Sequence, residues 1–203
     1  MKMKFTLDEV INLVIAFIVI SLGFSITLVR ANFDAVMYIL PIVMIGAGLG
    51  FILHEIGHKL SAIHYGYWAE FKMWPTGLVI SLISSVAGIL IALPGAVNIY
   101  GNVSEKENGV ISICGPLVNI ALALIFLIIG RYYHMGTIMG TGVIPLICIL
   151  GFQINAYLAF FNLLPIGILD GAKVFRWNPA IWAVTIIISA ILSFGPRFGM
   201  ILY

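Results

Sequence analysis

The sequence predicts an all-α polytopic membrane protein with five to six transmembrane segments, interrupted once by a re-entrant or β-hairpin element. Of the 203 residues, 62% are hydrophobic and 9% charged, with a mean hydropathy of +1.15, whereas a soluble domain carries about a quarter charged residues. The few charges leave six windows free of Asp, Glu, Lys and Arg: residues 10–29, 35–54, 73–104, 108–130, 132–169 and 177–196. About 20 apolar residues suffice for a helix to cross a bilayer. So little chain lies between the windows that residues 1–203 are expected to form one membrane domain with no separate soluble domain.

The basic start Met1-Lys2-Met3-Lys4 leads into an apolar run too long for a signal-peptide core and without a small-residue cleavage site, so it reads as a retained span. This first span is expected over Leu13 to Val29, ending at the polar turn of Arg30, Asn32 and Asp34. A second helix is expected from Val36 to Tyr65, where Gly66 supplies the stop. At 1.5 Å per residue it measures roughly 42 Å, more than the hydrocarbon core, so its polar C-terminal part emerges at an interface. The third window is broken by Pro75, Gly77, Gly88, Pro94, Gly95 and Gly101, and its apolar stretch Gly77 to Val97 reads either as one span or as a re-entrant hairpin. Clean spans follow over Gly109 to Gly130, opening with Gly115-Pro116, over Pro145 to Leu164 and over Ile181 to Phe194. A net charge of +2 spread over scattered basic residues excludes a nucleic-acid footprint. Cys114 and Cys148 lie inside apolar windows and are expected to pack as small hydrophobes.

The second span contains His54-Glu55-Ile56-Gly57-His58, an H-E-x-x-H motif. Residues four apart share a helix face, so two imidazoles can grip one metal ion while Glu55, one position round, reaches a water beside it. Ionisable groups in an apolar helix cost about 2.5 to 3.5 kcal/mol each at the bilayer centre, which argues for a function rather than an interfacial polar cluster. A catalytic zinc takes three protein ligands and keeps one open position. Asp170, the acidic residue that follows the fifth span in a Pro- and Gly-broken stretch, is the candidate third ligand; its alternative is a loop Asp at the turn before Gly171. His64 and His134 read as interfacial histidines rather than ligands.

Three separate pieces together resemble the site-2 protease family of intramembrane zinc metalloproteases. They are the H-E-x-x-H of His54 to His58, the Gly115-Pro116-Leu117-Val118-Asn119 element, and the segment from Asn162 to Gly171 with its Pro165 and Asp170-Gly171. The stretch Pro94-Gly95-Ala96-Val97 also looks like that family's membrane-embedded β segment. The resemblance covers roughly Ile45 to Trp177. It implies one zinc ion held by His54, His58 and Asp170, Glu55 as general base, and hydrolysis of a peptide bond within a transmembrane protein substrate inside the lipid bilayer. It also implies that Asn119 and Asn162 hold the substrate strand or the oxyanion, with hydrogen-bonded helix-to-helix glue as their alternative. An unwound substrate could pair with the extended segment Leu93 to Tyr100. Two features depart from the family's pattern: Ala172 stands where a second Gly often follows the Asp-Gly, and the apolar stretch Leu78 to Ile91 is longer than a minimal core needs.

One metal joining the end of the second span to Asp170, just past the fifth, puts those two helix ends near one membrane face, so an odd number of crossings must separate the second span from the fifth. The fourth span supplies one, so the Gly77 to Val97 window is expected to cross an even number of times. That arrangement places Lys2, Lys4, Lys59, Lys72, Lys106, Lys173 and Arg176 on one side and Arg30, Arg131 and Arg197 on the other. The positive-inside rule then puts the N-terminus and the opening of the site in the cytoplasm of a cell-membrane protein. Two other classes compete: a pseudoprotease or scaffold that binds transmembrane helices without cutting them, which has no need of Glu55, and a metal transporter, which would string further ionisable groups along a path.

Overall fold

The computed structural model describes residues 3–136 and 142–195. Lys2 and Arg197, which enter the predicted charge partition, lie outside them, and His134 lies outside the residues whose side chains are described. The chain is mostly helical, as predicted, and among the described residues four helices are long and apolar enough to cross a membrane: Leu7–Leu28, Phe33–His64, Glu105–Tyr133 and Val143–Asn162.

Helix α1 (Leu7–Leu28) starts where Thr6 accepts a hydrogen bond from the Glu9 N–H, with Asp8 and Glu9 facing the positive end of the helix dipole. It ends at a turn in which Arg30 and Ala31 take left-handed backbone angles, and Asn32 caps the next helix. That second span is built in three pieces: α2 (Phe33–Val43), a π-helical turn (Met44–Gly48) and α3 (Leu49–His64). Gly66 stops α3 as expected. It takes φ +86°, and the bonds Tyr67 N–H to Ala62 O (3.0 Å) and Gly66 N–H to Ile63 O (2.9 Å) close a Schellman motif.

The third window departs most from expectation. A strand the sequence analysis did not place, β1 (Trp68–Met73), pairs antiparallel with β2 (Gly95–Tyr100), so the fold is not purely helical. Between them runs α4 (Pro75–Val86), about 18 Å long and too short to cross the hydrocarbon core. It packs on α1. Met73 is the register partner of Gly95, so the excursion through α4 leaves the sheet and returns to the same point. The strands are therefore joined by a helical detour rather than a tight hairpin turn.

Helix α5 (Glu105–Gly136) is longer than predicted at both ends, which places Gly115-Pro116 inside it rather than at its start. Helices α6 (Val143–Asn162), α7 (Asp170–Trp177) and α8 (Pro179–Phe194) complete the described residues. Helix α6 is central. One cluster packs its Leu150, Ile154 and Leu158 against Ile20, Phe24, Val43 and Ala47, and another packs its Phe152, Ala156 and Ala159 against Ile120, Ala123 and Leu192. Large apolar side chains also face outward, Ile128 at 68% and Ile83 at 67% exposure, as lipid rather than water would favour.

Candidate metal centre

Helix α3 carries His54 and His58 one turn apart, and α7 begins at Asp170, whose carboxylate is aimed at them. His54 Nε2 lies 3.3 Å and His58 Nε2 3.0 Å from Asp170 Oδ2, and the two Nε2 atoms are 3.0 Å apart. All three residues are buried.

The far side of each ring is held. His54 Nδ1 is 2.6 Å from Asn119 Oδ1, and His58 Nδ1 is 2.8 Å from the Ile111 carbonyl. Both partners are oxygens, and the Ile111 carbonyl can only accept. Each ring, when neutral, thus carries its proton on Nδ1 and turns an Nε2 lone pair inward. In the neutral rings two lone pairs and a carboxylate oxygen converge within hydrogen-bond distance, and a cation among them relieves their repulsion. The donor set, two neutral imidazoles and one carboxylate, suits zinc in an open catalytic geometry.

Small residues let the elements close up here. A Cβ on Gly115 would stand 2.4 Å from His58 Nε2 and 2.6 Å from His54 Nε2, so the Gly-Pro step of α5 forms the floor of the site. A Cβ on Gly171 would lie 2.0 Å from the Leu163 carbonyl, which explains the glycine beside Asp170. Ala172 is only half-buried, so a methyl is accommodated where the family pattern often has glycine. Lys173 Nζ lies 3.3 Å from the other Asp170 oxygen, Oδ1.

Glu55 is also buried, and its Oε2 has no hydrogen-bond partner among the described residues. It lines a cavity of about 760 Å³ shared by His54, His58, Asp170, Asn162 and the whole of β2. Asn162 is half-buried there, donating to the Leu158 carbonyl at 3.0 Å. Asn119 takes up the helix-tying role. It is completely buried, its oxygen engaged by His54 and its nitrogen by the Gly50 carbonyl (3.2 Å) and Asn155 Oδ1 (2.9 Å), so it ties helices together where it borders the same cavity. His64 is exposed at the end of α3, away from the cluster.

The chain is 40% identical over 183 residues to a Methanocaldococcus jannaschii protein named "Putative zinc metalloprotease", a match covering 89% of this chain and 90% of that one. The chain belongs to this zinc metalloprotease family. A second protein of the same organism, named "Zinc metalloprotease", is 29% identical over 162 residues; the match covers 80% of this chain but 39% of that longer protein. No family model matches the chain, and no solved structure matches it significantly. Zinc is the cofactor of this metalloprotease, and the cluster of His54, His58 and Asp170 is able to hold one ion.

The roles of Asn155, Glu9 and Lys59 emerge only from the fold. Asn155 was visible as an amide within the apolar helix α6. Lys59, counted among the charges of one membrane side, is 2% exposed and ion-paired with Glu9 of α1, which also accepts the Phe71 N–H at 3.1 Å. The pair joins α1, α3 and β1.

Proposed function

We propose that this zinc metalloprotease is an intramembrane endopeptidase of the site-2 protease type, cutting transmembrane protein substrates. The observation that carries the reading is that the metal-ligand cluster and the free edge of β2 open into one cavity inside an apolar helical body. His54 lies ten residues before the end of the Phe33–His64 helix, about 15 Å along it, which sets the site below the helix end.

His54, His58 and Asp170 would hold the zinc, which when bound supplies a Lewis acid for the scissile carbonyl and makes water nucleophilic near neutral pH. Glu55 acts as general base, its unpartnered Oε2 taking the water proton and delivering it to the leaving amine. A peptide bond within a helix is shielded by that helix's own hydrogen bonds, so the substrate must unwind and pair elsewhere. Strand β2 offers the partner. Phe71 of β1 turns its N–H to Glu9, away from β2, so its register partner Val97 and the alternate Ile99 direct their N–H and C=O groups outward, along the free edge. Glu9 and the start of α1 cover the corresponding edge of β1, which leaves β2 to receive the substrate strand. Asn162, lining the same cavity, is positioned to hold that strand or the oxyanion. The return of the chain from Met73 to Gly95 favours an even number of crossings, and with it the cytoplasmic placement of the N-terminus and of the opening in a cell membrane.

The test is reconstitution into liposomes with single-span substrates, product masses being read by mass spectrometry. Zinc-dependent cuts within the substrate's apolar segment, absent in Glu55→Gln, are expected. Zinc-loaded protein that binds these helices without cutting them would transfer the assignment to the scaffold class. Cleavage confined to soluble peptides would overturn the intramembrane reading.

A further inference from the structure

Asn155 stands in the middle of α6, fully buried, and plays no part in the mechanism above. Its Nδ2 donates to the Gly46 carbonyl at 2.9 Å and the Gly151 carbonyl at 2.8 Å. Backbone carbonyls only accept, so both protons of the amide are engaged and its orientation is determined. Its Oδ1 must then accept, and the donor is Asn119 Nδ2 at 2.9 Å. The second proton of Asn119 goes to the Gly50 carbonyl, which leaves Asn119 Oδ1 as an acceptor for His54 Nδ1–H. A directed chain of hydrogen bonds therefore runs from two carbonyls, one of them in the π-helical turn, to the ring of a metal ligand. The fit is tight: a Cβ on Gly50 would lie 2.2 Å from Asn155 Oδ1.

We propose that Asn155 is a positioning residue for the zinc site, holding the proton on His54 Nδ1 through Asn119 and so presenting Nε2 to the metal. This rests on the metalloprotease reading of the cluster. The Nδ1–H of His58 stands outside this hydrogen-bond chain, because it bonds the Ile111 carbonyl directly, so that resonance serves as an internal control. The Gly50 carbonyl retains one restraint on Asn119 when Asn155 is removed, so the effect is a weakening rather than a reversal.

Asn155→Leu removes the acceptor for Asn119, whereas Asn155→Asp keeps one at nearly the same place whether or not the carboxyl is ionised. A role confined to packing or to the π-turn predicts that Asp, which gives up donors to Gly46 and Gly151, does no better than Leu. The experiment is proton and nitrogen NMR of histidine-labelled, metal-free full-length protein in detergent, paired with zinc competition titration. In Asn155→Leu the His54 Nδ1–H resonance is expected to move upfield and zinc affinity to fall about tenfold, within the range seen on removing partners of metal-bound histidines. His58 stays unchanged, and Asn155→Asp restores both properties towards wild type. An unmoved His54 signal in Asn155→Leu overturns the proposal, as do equal losses in the two variants or joint displacement of His54 and His58. Wild-type protein that takes up no zinc would instead sink the metalloprotease reading, while the metal-free spectra still decide the role of Asn155.

Discussion

Gly115 and His58 approach so closely that a single methyl group would separate function from fold: the Cβ of an alanine at 115 would stand 2.4 Å from His58 Nε2. Gly115→Ala is therefore expected to push both imidazoles off their common focus. Zinc affinity should fall roughly tenfold or more, with helix content by circular dichroism unchanged. Full zinc occupancy in this variant would show that the floor of the site can yield.

Removing a ligand should remove the metal. His54→Ala, His58→Ala and Asp170→Ala are each expected to purify with little zinc by elemental analysis, against about one per chain in the wild type. His64→Ala should keep its zinc, because that ring is exposed beyond the end of the ligand pair. A loss of zinc in the His64 variant would count against the three-residue set.

Glu55→Gln preserves shape and the metal donors while removing the base. The expected result is normal zinc content with cleavage slowed by about 10² to 10⁴, measured on reconstituted protein with a transmembrane substrate. Undiminished cleavage would remove Glu55 from the proton pathway.

The buried pair of Glu9 and Lys59 should matter to stability more than a surface ion pair would. Taking away one partner strands a charge among Phe5, Trp68 and β1, a change that costs about 3 to 5 kcal/mol for buried pairs. Lys59→Met should thus lower the thermal midpoint in detergent substantially, and the double variant with Glu9→Gln should recover part of the loss. A midpoint for Lys59→Met equal to that of wild type would mean that the carboxylate finds water or another donor.

What could be read in advance divides along the range of the interactions. The ligand pair was legible because His54 and His58 lie one turn apart on one helix, and Gly66 because a helix stop is a local event. Asp170 was legible because a carboxylate in an apolar stretch demands a partner, although its neighbour could be named only by elimination. Strand β1 was not, because Trp68–Met73 becomes a strand only through its register with Gly95–Tyr100 and through Glu9 at its other edge. Asn119 could be placed as a buried amide, yet its choice between substrate and protein depends on Asn155 and His54 arriving from two other helices. The burial of Lys59 was not legible, because its charge places it on one side of the membrane while the counter-charge that buries it lies on a different span.

The π-helical turn at Met44–Gly48 has a consequence for how this chain tolerates change. Its Leu49 N–H reaches back to the Met44 carbonyl, one residue further than an α-helical bond, so everything after it is rotated by about 100° relative to an uninterrupted helix. The lipid-facing stripe of α2 and the metal-facing stripe of α3 are thus out of phase by one residue. Closing the turn to ordinary α-helical bonding with every residue kept would leave length, hydropathy and helicity almost untouched, yet it would swing His54, Glu55 and His58 away from Asp170, whereas loss of one residue within Met44–Gly48 is the change the turn can absorb. Near this turn a one-residue frame of reference, invisible to composition, separates a metal-binding helix from an ordinary membrane span.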